Sequence, residues 1–295
     1  MVPHWASITK RYTATSWGCR RGSWRSFVQP ASFELREIQT VETWKSSITQ
    51  TAQNSIRIGG YDVAELMTKA SYTETVFLLH KGQLPNAAEQ RLLNAILVAV
   101  ADHGPGSPSV ATARLVASAN RSAPEAAVGA GVLAIGDAHA GAGMACMQLV
   151  ETGLALTRDA GLSMPQAARK IVADARARGE RLPGMGHRVH TADPRTAVLF
   201  ALARETGVAG GGVAFVEALE SAVAELIKPM PVNLDGALAA VLFDLGFPPL
   251  FAKLVFIIGR VAGLSAHVME EYTRERAMRI RIPVSYDGPE PRAMK

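Results

Sequence analysis

From Glu42 onward, apolar residues recur at helical spacing almost without a break, and strand-type alternation is nearly absent. A chain of 295 residues patterned in this way has one broad solution, a packing of amphipathic helices around a shared core. Ser71 and Glu74 precede Val76, Phe77, Leu78 and Leu79, the spacing of a capping box that opens an apolar helix, and Gly82 closes it. Pro85 suits the first turn of a second helix carrying Leu92, Leu93, Ile96, Leu97 and Val100. Further helices are expected over residues 109–119, 124–135, 141–158, 165–179, 194–206, 213–228, 235–245 and 249–273. The one expected strand is Ile56-Arg57-Ile58, ended by Gly59-Gly60, and no internal repeat is visible. The expected fold class is all-α.

Composition narrows the function. The net charge of +5 suggests nucleic acid until its location is examined. Residues 1 to 33 hold Lys10, Arg11, Arg20, Arg21 and Arg25 and no acid, so the remainder is neutral. A phosphate-binding surface needs clustered cations, and in the remainder they are dispersed among acids. These first residues lack an apolar period and read as a basic extension outside the fold. A flexible arm, a misplaced translation start and an organellar transit peptide all suit them; a secretory signal does not, because no apolar stretch is present. Cys19 and Cys146 are the only cysteines, too few for a disulfide framework or a Cys-rich zinc module. Leu250 to Ala266 is apolar but broken by Lys253 and Arg260, so no membrane span is expected. The expected compartment is reducing and aqueous: the cytoplasm, or a mitochondrion if the extension is a transit peptide.

Four junctions place ionisable residues among Gly, Ala and Pro at helix ends. They are Ala101-Asp102-His103-Gly104, Gly136-Asp137-Ala138-His139-Ala140-Gly141, Leu182-Pro183-Gly184-Met185-Gly186-His187-Arg188-Val189 with Asp193-Pro194-Arg195, and Val232-Asn233-Leu234-Asp235-Gly236. Singly, each has an ordinary explanation. A histidine at a helix end caps it or sits satisfied in the core. Asp235 suits an N-cap, Asp193-Pro194 a helix start, and Gly184 and Gly186 a tight turn. His4, His80, His190 and His267 are read in that ordinary way. No two of the junction residues have the spacing of a helical metal-ligand pair, so no metal is expected.

Together, and in this order, the junctions resemble the citrate synthase superfamily, and most of all its citryl-CoA lyase members, including the lyase module of ATP-citrate lyase. The resemblance runs from about residue 44 to 289. It begins at Gly60-Tyr61-Asp62-Val63-Ala64-Glu65-Leu66 and continues through the Ser71 helix with Gly82, Leu84 and Pro85. The most specific match is Gly186-His187-Arg188-Val189 followed by Asp193-Pro194-Arg195. It closes on Gly259 to His267 and Tyr286-Asp287-Gly288-Pro289. The chain departs from the family at residue 140, where Ala stands in place of a usual Gly; one methyl there is expected to shift His139 slightly.

The resemblance implies a large helical domain, about 34–141 plus 247–295, and a smaller one, about 142–246, that closes over a cleft, in a homodimer. It implies Asp235 as the carboxylate that removes or returns the acetyl α-proton. His139 would be the donor to the enolate oxygen, and His187 the group on the oxo-acid carbonyl or the resulting hydroxyl. His103 and Arg195, with Arg281 a weaker candidate, would hold substrate carboxylates, a task suited to the planar guanidinium fork. Leu182, Pro183, Gly184, Met185 and Gly186 would lie against coenzyme A, which is a thioester substrate and no resident cofactor. The activity implied is citryl-CoA cleavage to acetyl-CoA and oxaloacetate. A citrate or methylcitrate synthase, an enzyme for another 3-hydroxyacyl-CoA and a non-catalytic CoA-binding scaffold stay open beside it.

Overall fold

Three short strands and eleven helices follow one another in the residues described by a computed structural model, 44–186 and 193–294. Residues from Ser46 onward gather into a single unit. The strands β1 (Thr49–Ala52), β2 (Ser55–Ile58) and β3 (Tyr61–Asp62) form an antiparallel meander with Thr49 opposite Ile58 and Arg57 opposite Asp62. The sequence pattern announces only β2. Strand β1 is polar and exposed along its whole length and β3 has two residues, so neither carries an apolar alternation to detect.

Asp62 then caps α1 (Val63–Lys69), accepting from the Ala64 N–H; this helix was not among those expected. The capping box is present as expected on α2 (Tyr72–Lys81), which ends at Gly82 in the left-handed region, φ 74°. On α3 (Ala87–Val100) the cap is Asn86 in a second box with Glu89, and Pro85 stands before it, outside the first turn. The other helices fall within one or two residues of their expected positions. They are α4 (Pro108–Ala119), α5 (Pro124–Leu133), α6 (Ala142–Asp159), α7 (Met164–Arg178), α8 (Pro194–Glu205), α9 (Gly211–Leu226), α10 (Leu234–Asp244) and α11 (Pro249–Arg274).

Helix α10 is the innermost. All of Gly236 through Leu242 is buried, because α6, α8, α9 and α11 pack around it. An aromatic stack of Phe247 on Phe251, centroids 4.0 Å apart, with Phe77 edge-on at 5.4 Å, ties α2 to the start of α11. A second, smaller core of Val110, Ala113, Ala117, Ala127, Leu264 and Val268 joins α4 and α5 to α11. Its side chains are small, so these helices approach closely.

Helix α11 is longer than the interrupted run read from the sequence, and apolar despite Lys253 and Arg260. Its 26 residues, with a mean hydropathy of 1.6 over its best window, are enough to cross a bilayer. In the fold it is a core helix against α3, α4, α5, α6 and α10. Its last turn is held by charge. The buried Glu271 carboxylate accepts from Arg114 Nε at 2.9 Å and from Arg279 Nε and Nη2 at 2.9 and 2.6 Å. Arg121 donates to the carbonyls of Glu271, Tyr272 and Glu275, supplying donors that a helix C-terminus lacks.

Removing one side of such a buried cluster leaves the other side uncompensated. Glu271→Ala is therefore expected to destabilise the fold by about 3 kcal/mol in urea unfolding. A loss below 1 kcal/mol would mean that the cluster is solvated and structurally idle.

Candidate active site

The site is built where α10 begins. The helix is capped by Asn233, whose Oδ1 accepts from the Gly236 N–H at 3.1 Å, so the N-cap role considered for Asp235 belongs to Asn233 instead. Asp235 is left free of that duty in the first turn. The preceding loop is sewn to this cap. The Asn233 N–H donates to the Gly184 carbonyl at 3.0 Å and Asn233 Nδ2 to the Gly186 carbonyl at 2.7 Å. The Gly186 N–H in turn donates to the Pro231 carbonyl at 2.8 Å. The approach is close enough to demand glycine. A Cβ on Gly236 would stand 2.5 Å from the Gly184 oxygen, and Gly184 itself has φ 82°.

Burial pushes the Asp235 carboxyl above its usual range; Arg195 and Arg260 pull in the opposite direction. Beneath it, burial and the Asp235 charge push the Cys146 thiol up to about 12, so this cysteine is packing and no nucleophile.

His139 comes from the turn between α5 and α6, closed by two reciprocal 3.0 Å bonds between the backbones of Gly136 and His139. Its Nε2 lies 3.0 Å from Ser109 Oγ on α4, and Arg260 Nη1 donates to that same oxygen at 3.3 Å. An arginine only donates, so Ser109 Oγ accepts from it, and among the described residues His139 is the one acceptor left for the buried hydroxyl proton. Ser109 thus donates to Nε2, and the imidazole proton sits on Nδ1. Burial, then Arg260 and His103, lower the His139 pKa, which keeps the ring neutral near pH 7. The next residue, Ala140, has φ 71°, a conformation that a methyl group opposes. The methyl of Ala140 thus sits on a strained stretch of backbone directly beside His139.

Arg195 follows the helix start foreseen at Asp193-Pro194. Asp193 caps α8 through the Arg195 N–H, and its carboxylate also accepts from Arg195 Nε and Nη2 at 3.0 and 2.8 Å. Arg195 Nη1 reaches the Ala99 carbonyl. Arg260, on α11, is only 2% exposed. It donates to the Val100 carbonyl at 2.8 Å and stacks on Phe256, 4.6 Å to the ring centre, yet no carboxylate lies within salt-bridge distance among the described residues.

These groups line one cavity of about 130 Å³: His103, His139, Ala140, Arg195, Asn233, Leu234, Asp235, Phe256 and Arg260. It is continuous in lining with a larger one of about 980 Å³, which shares His103, His139, Ala140, Asn233 and Asp235 and adds Arg181, Asp137 and Gly186. The larger volume is in the range of small-molecule and cofactor sites. The structure thus gathers His103, His139, Arg195 and Asp235. Of the loop proposed to face coenzyme A, Gly186 lines the larger cavity, whereas Leu182, Gly184 and Met185 are buried in the packing under α10 and Pro183 is partly buried. Arg281 is exposed beyond α11 and lines neither cavity. His187 and His190 lie outside the described residues.

Sequence reasoning missed Arg260, Phe256 and Ser109. The signal for Arg260 was present, since a lone cation in an apolar helix asks for an anion or an acceptor, but it was read only as a break in an apolar run. Ala140→Gly is expected to raise stability by about 0.5–1 kcal/mol in urea unfolding, the balance of relieved strain and glycine entropy. Destabilisation would mean that the methyl packs productively.

Comparison with known proteins agrees with this geometry. The family model described as citrate synthase, C-terminal domain, matches residues 34–91 and 86–281. The citrate/2-methylcitrate synthase of Bacillus subtilis is 30% identical over 74% of this chain and 57% of its own length. The chain spans little more than half the length of the curated relatives it matches. The citryl-CoA lyase of Hydrogenobacter thermophilus superposes with a TM-score of 0.79 at 36% identity, covering 86% of this chain and 98% of that one. The ATP citrate lyase of Methanosaeta concilii, 20% identical with a TM-score of 0.69 over 86% of this chain and 43% of its own, shares the fold. On the family match, and with the landmark residues gathered around one cavity, the chain belongs to the citrate synthase family.

Proposed function

We propose that this chain is an enzyme that cleaves citryl-CoA to acetyl-CoA and oxaloacetate by a retro-Claisen reaction. The observation that carries the reading is Arg260: a buried guanidinium without a carboxylate partner among the described residues, lining a small cavity that also holds Asp235 and His139. A cation kept in that state calls for an anionic ligand. With Arg195 it makes a seat for the carboxylates of an oxo acid or of citrate. The larger adjoining cavity suits the coenzyme A arm, with Arg181 at its lining for phosphate. The likeness to a citryl-CoA lyase over nearly the whole of that enzyme favours cleavage.

In that reaction the C3 hydroxyl of citryl-CoA loses its proton, the bond to the acetyl carbon breaks, and the electron pair passes into the thioester enolate. The resemblance assigns the first proton to His187, outside the described residues. His139, neutral and protonated on Nδ1, is the donor for the enolate oxygen. Asp235, with its carboxyl raised by burial, is held closer to the acid form that delivers a proton to the enolate carbon. Run backwards, the same groups make the bond, so a citrate or methylcitrate synthase, the identity of the curated relatives, is the second reading. The division into two domains with a closing cleft, the homodimer and a cytoplasmic location belong to this proposal as well.

Citryl-CoA given to the purified protein, with oxaloacetate and free CoA followed separately, tests the reading. Oxaloacetate without free CoA is the expected result. Free CoA with citrate would make it a synthase, and neither product would overturn both readings. Asp235→Asn should lower turnover by about 10² or more. Its stability at neutral pH should not fall. The folded pKa lies above the unfolded one, so the charged form already costs stability above the unfolded pKa, and an uncharged amide removes that cost. In the condensing direction the wild-type rate should fall on acidification, with a midpoint above the ordinary Asp value of about 3.9.

A further inference from the structure

Three consecutive residues at the end of α3 are each bonded to α11. The Val100 carbonyl accepts from Arg260 Nε at 2.8 Å, the Ala101 carbonyl accepts from the Gly263 N–H at 3.2 Å, and the Asp102 carboxylate lies 3.2 Å from His267 Nε2. Residues 260, 263 and 267 share one face of a helix. The chain then turns at once into His103, which lines both cavities. Asp102 also accepts from the Gly104 N–H at 3.0 Å, so its carboxylate braces the turn on both sides of His103. Gly263 has no room for a side chain, since a Cβ would meet the Ala101 oxygen at 2.3 Å.

The tautomer of His267 follows from the geometry of its neighbours. Arg114 Nη1 faces His267 Nδ1 at 3.3 Å, and a guanidinium only donates, so Nδ1 accepts. The ring proton is on Nε2, directed at Asp102. Arg114 is itself fixed by Glu270 and the buried Glu271. The Glu270 carboxylate, at 3.7 Å from Nδ1, is the other charge on this side.

We propose that His267 is a positioning residue for the reaction: with Arg260 and Gly263 it clamps the end of α3 to α11 and so sets His103 against the substrate carboxylate. The part about substrate rests on the proposed function; the clamp itself does not. His267 touches no cavity residue that reacts, so its effect should fall on the oxo acid or citryl group and not on the coenzyme A arm.

His267→Leu removes the donor at similar volume, whereas His267→Gln keeps one donor and one acceptor and reaches both Asp102 and Arg114. For the Leu variant, the KM for oxaloacetate in the condensing assay should rise about tenfold or more while the dissociation constant of acetyl-CoA stays within about twofold; the Gln variant should recover most of the loss. Hydrogen exchange supplies a readout independent of activity. The amides of residues 101–106 should lose protection in the Leu variant and keep it in the Gln variant, with protection of α6 and α10 unchanged in both. A folded Leu variant with wild-type KM and wild-type protection would overturn the proposal, as would a Gln variant no better than Leu. If the wild-type protein turns over neither oxaloacetate nor citryl-CoA, the proposed function fails, and the exchange pattern alone then upholds or overturns the clamp.

Discussion

The site depends on one costly placement, the guanidinium of Arg260 inside an apolar helix. A charge taken out of water must be solvated by something, and here the partners are the Val100 carbonyl, the Ser109 hydroxyl and the face of Phe256. None is an anion. The arrangement satisfies the hydrogen bonds of the guanidinium without a direct carboxylate contact among the described residues; Asp102 and Asp235 act on it only through space, and Arg260 lines the cavity. Through Ser109 it also orients His139, and through Val100 it anchors the strand of chain that leads to His103. One residue thereby couples an anion site, an imidazole tautomer and a loop position.

The opposite wall is set by close backbone contact. The loop carrying Gly184 and Gly186 lies so near the start of α10 that Asn233, and not Asp235, must satisfy the orphan amides of the helix. Asp235 is then left half-buried in the first turn without a capping bond among the described residues, its carboxyl pushed toward the neutral form by desolvation. Packing α10 inside four other helices is what makes that burial possible. Core and chemistry meet in these few residues, and a shift in either wall would change the proton affinity of the carboxylate as well as its position.

Much of this was legible in the sequence, for reasons that differ by element. Long apolar-periodic helices announce themselves, and capping signals such as Ser71 with Glu74 place their ends. The outer strands of the meander did not, since an exposed polar strand and a two-residue strand leave no alternation. The junctions around His103, His139, Arg195 and Asp235 stood out because ionisable groups among Gly, Ala and Pro break the helical pattern. Arg260 and Ser109 were hidden because they lie inside helices, where a polar residue is told from a surface one only by knowing which face is buried. The buried cluster around Glu271 is silent for the same reason, and so is the pairing of Asp102 with His267, 165 positions apart.

The account stands or falls on whether Asp235 and His139 enolise a thioester held beside the cationic seat. The direct measurement is exchange of the acetyl-CoA methyl protons with D₂O, followed by NMR, with malate present as an unreactive occupant of the carboxylate seat. The account predicts exchange with the wild-type protein and its loss, by about 10² or more, in Asp235→Asn. Absence of exchange in the wild type, or equal exchange in the variant, would contradict it.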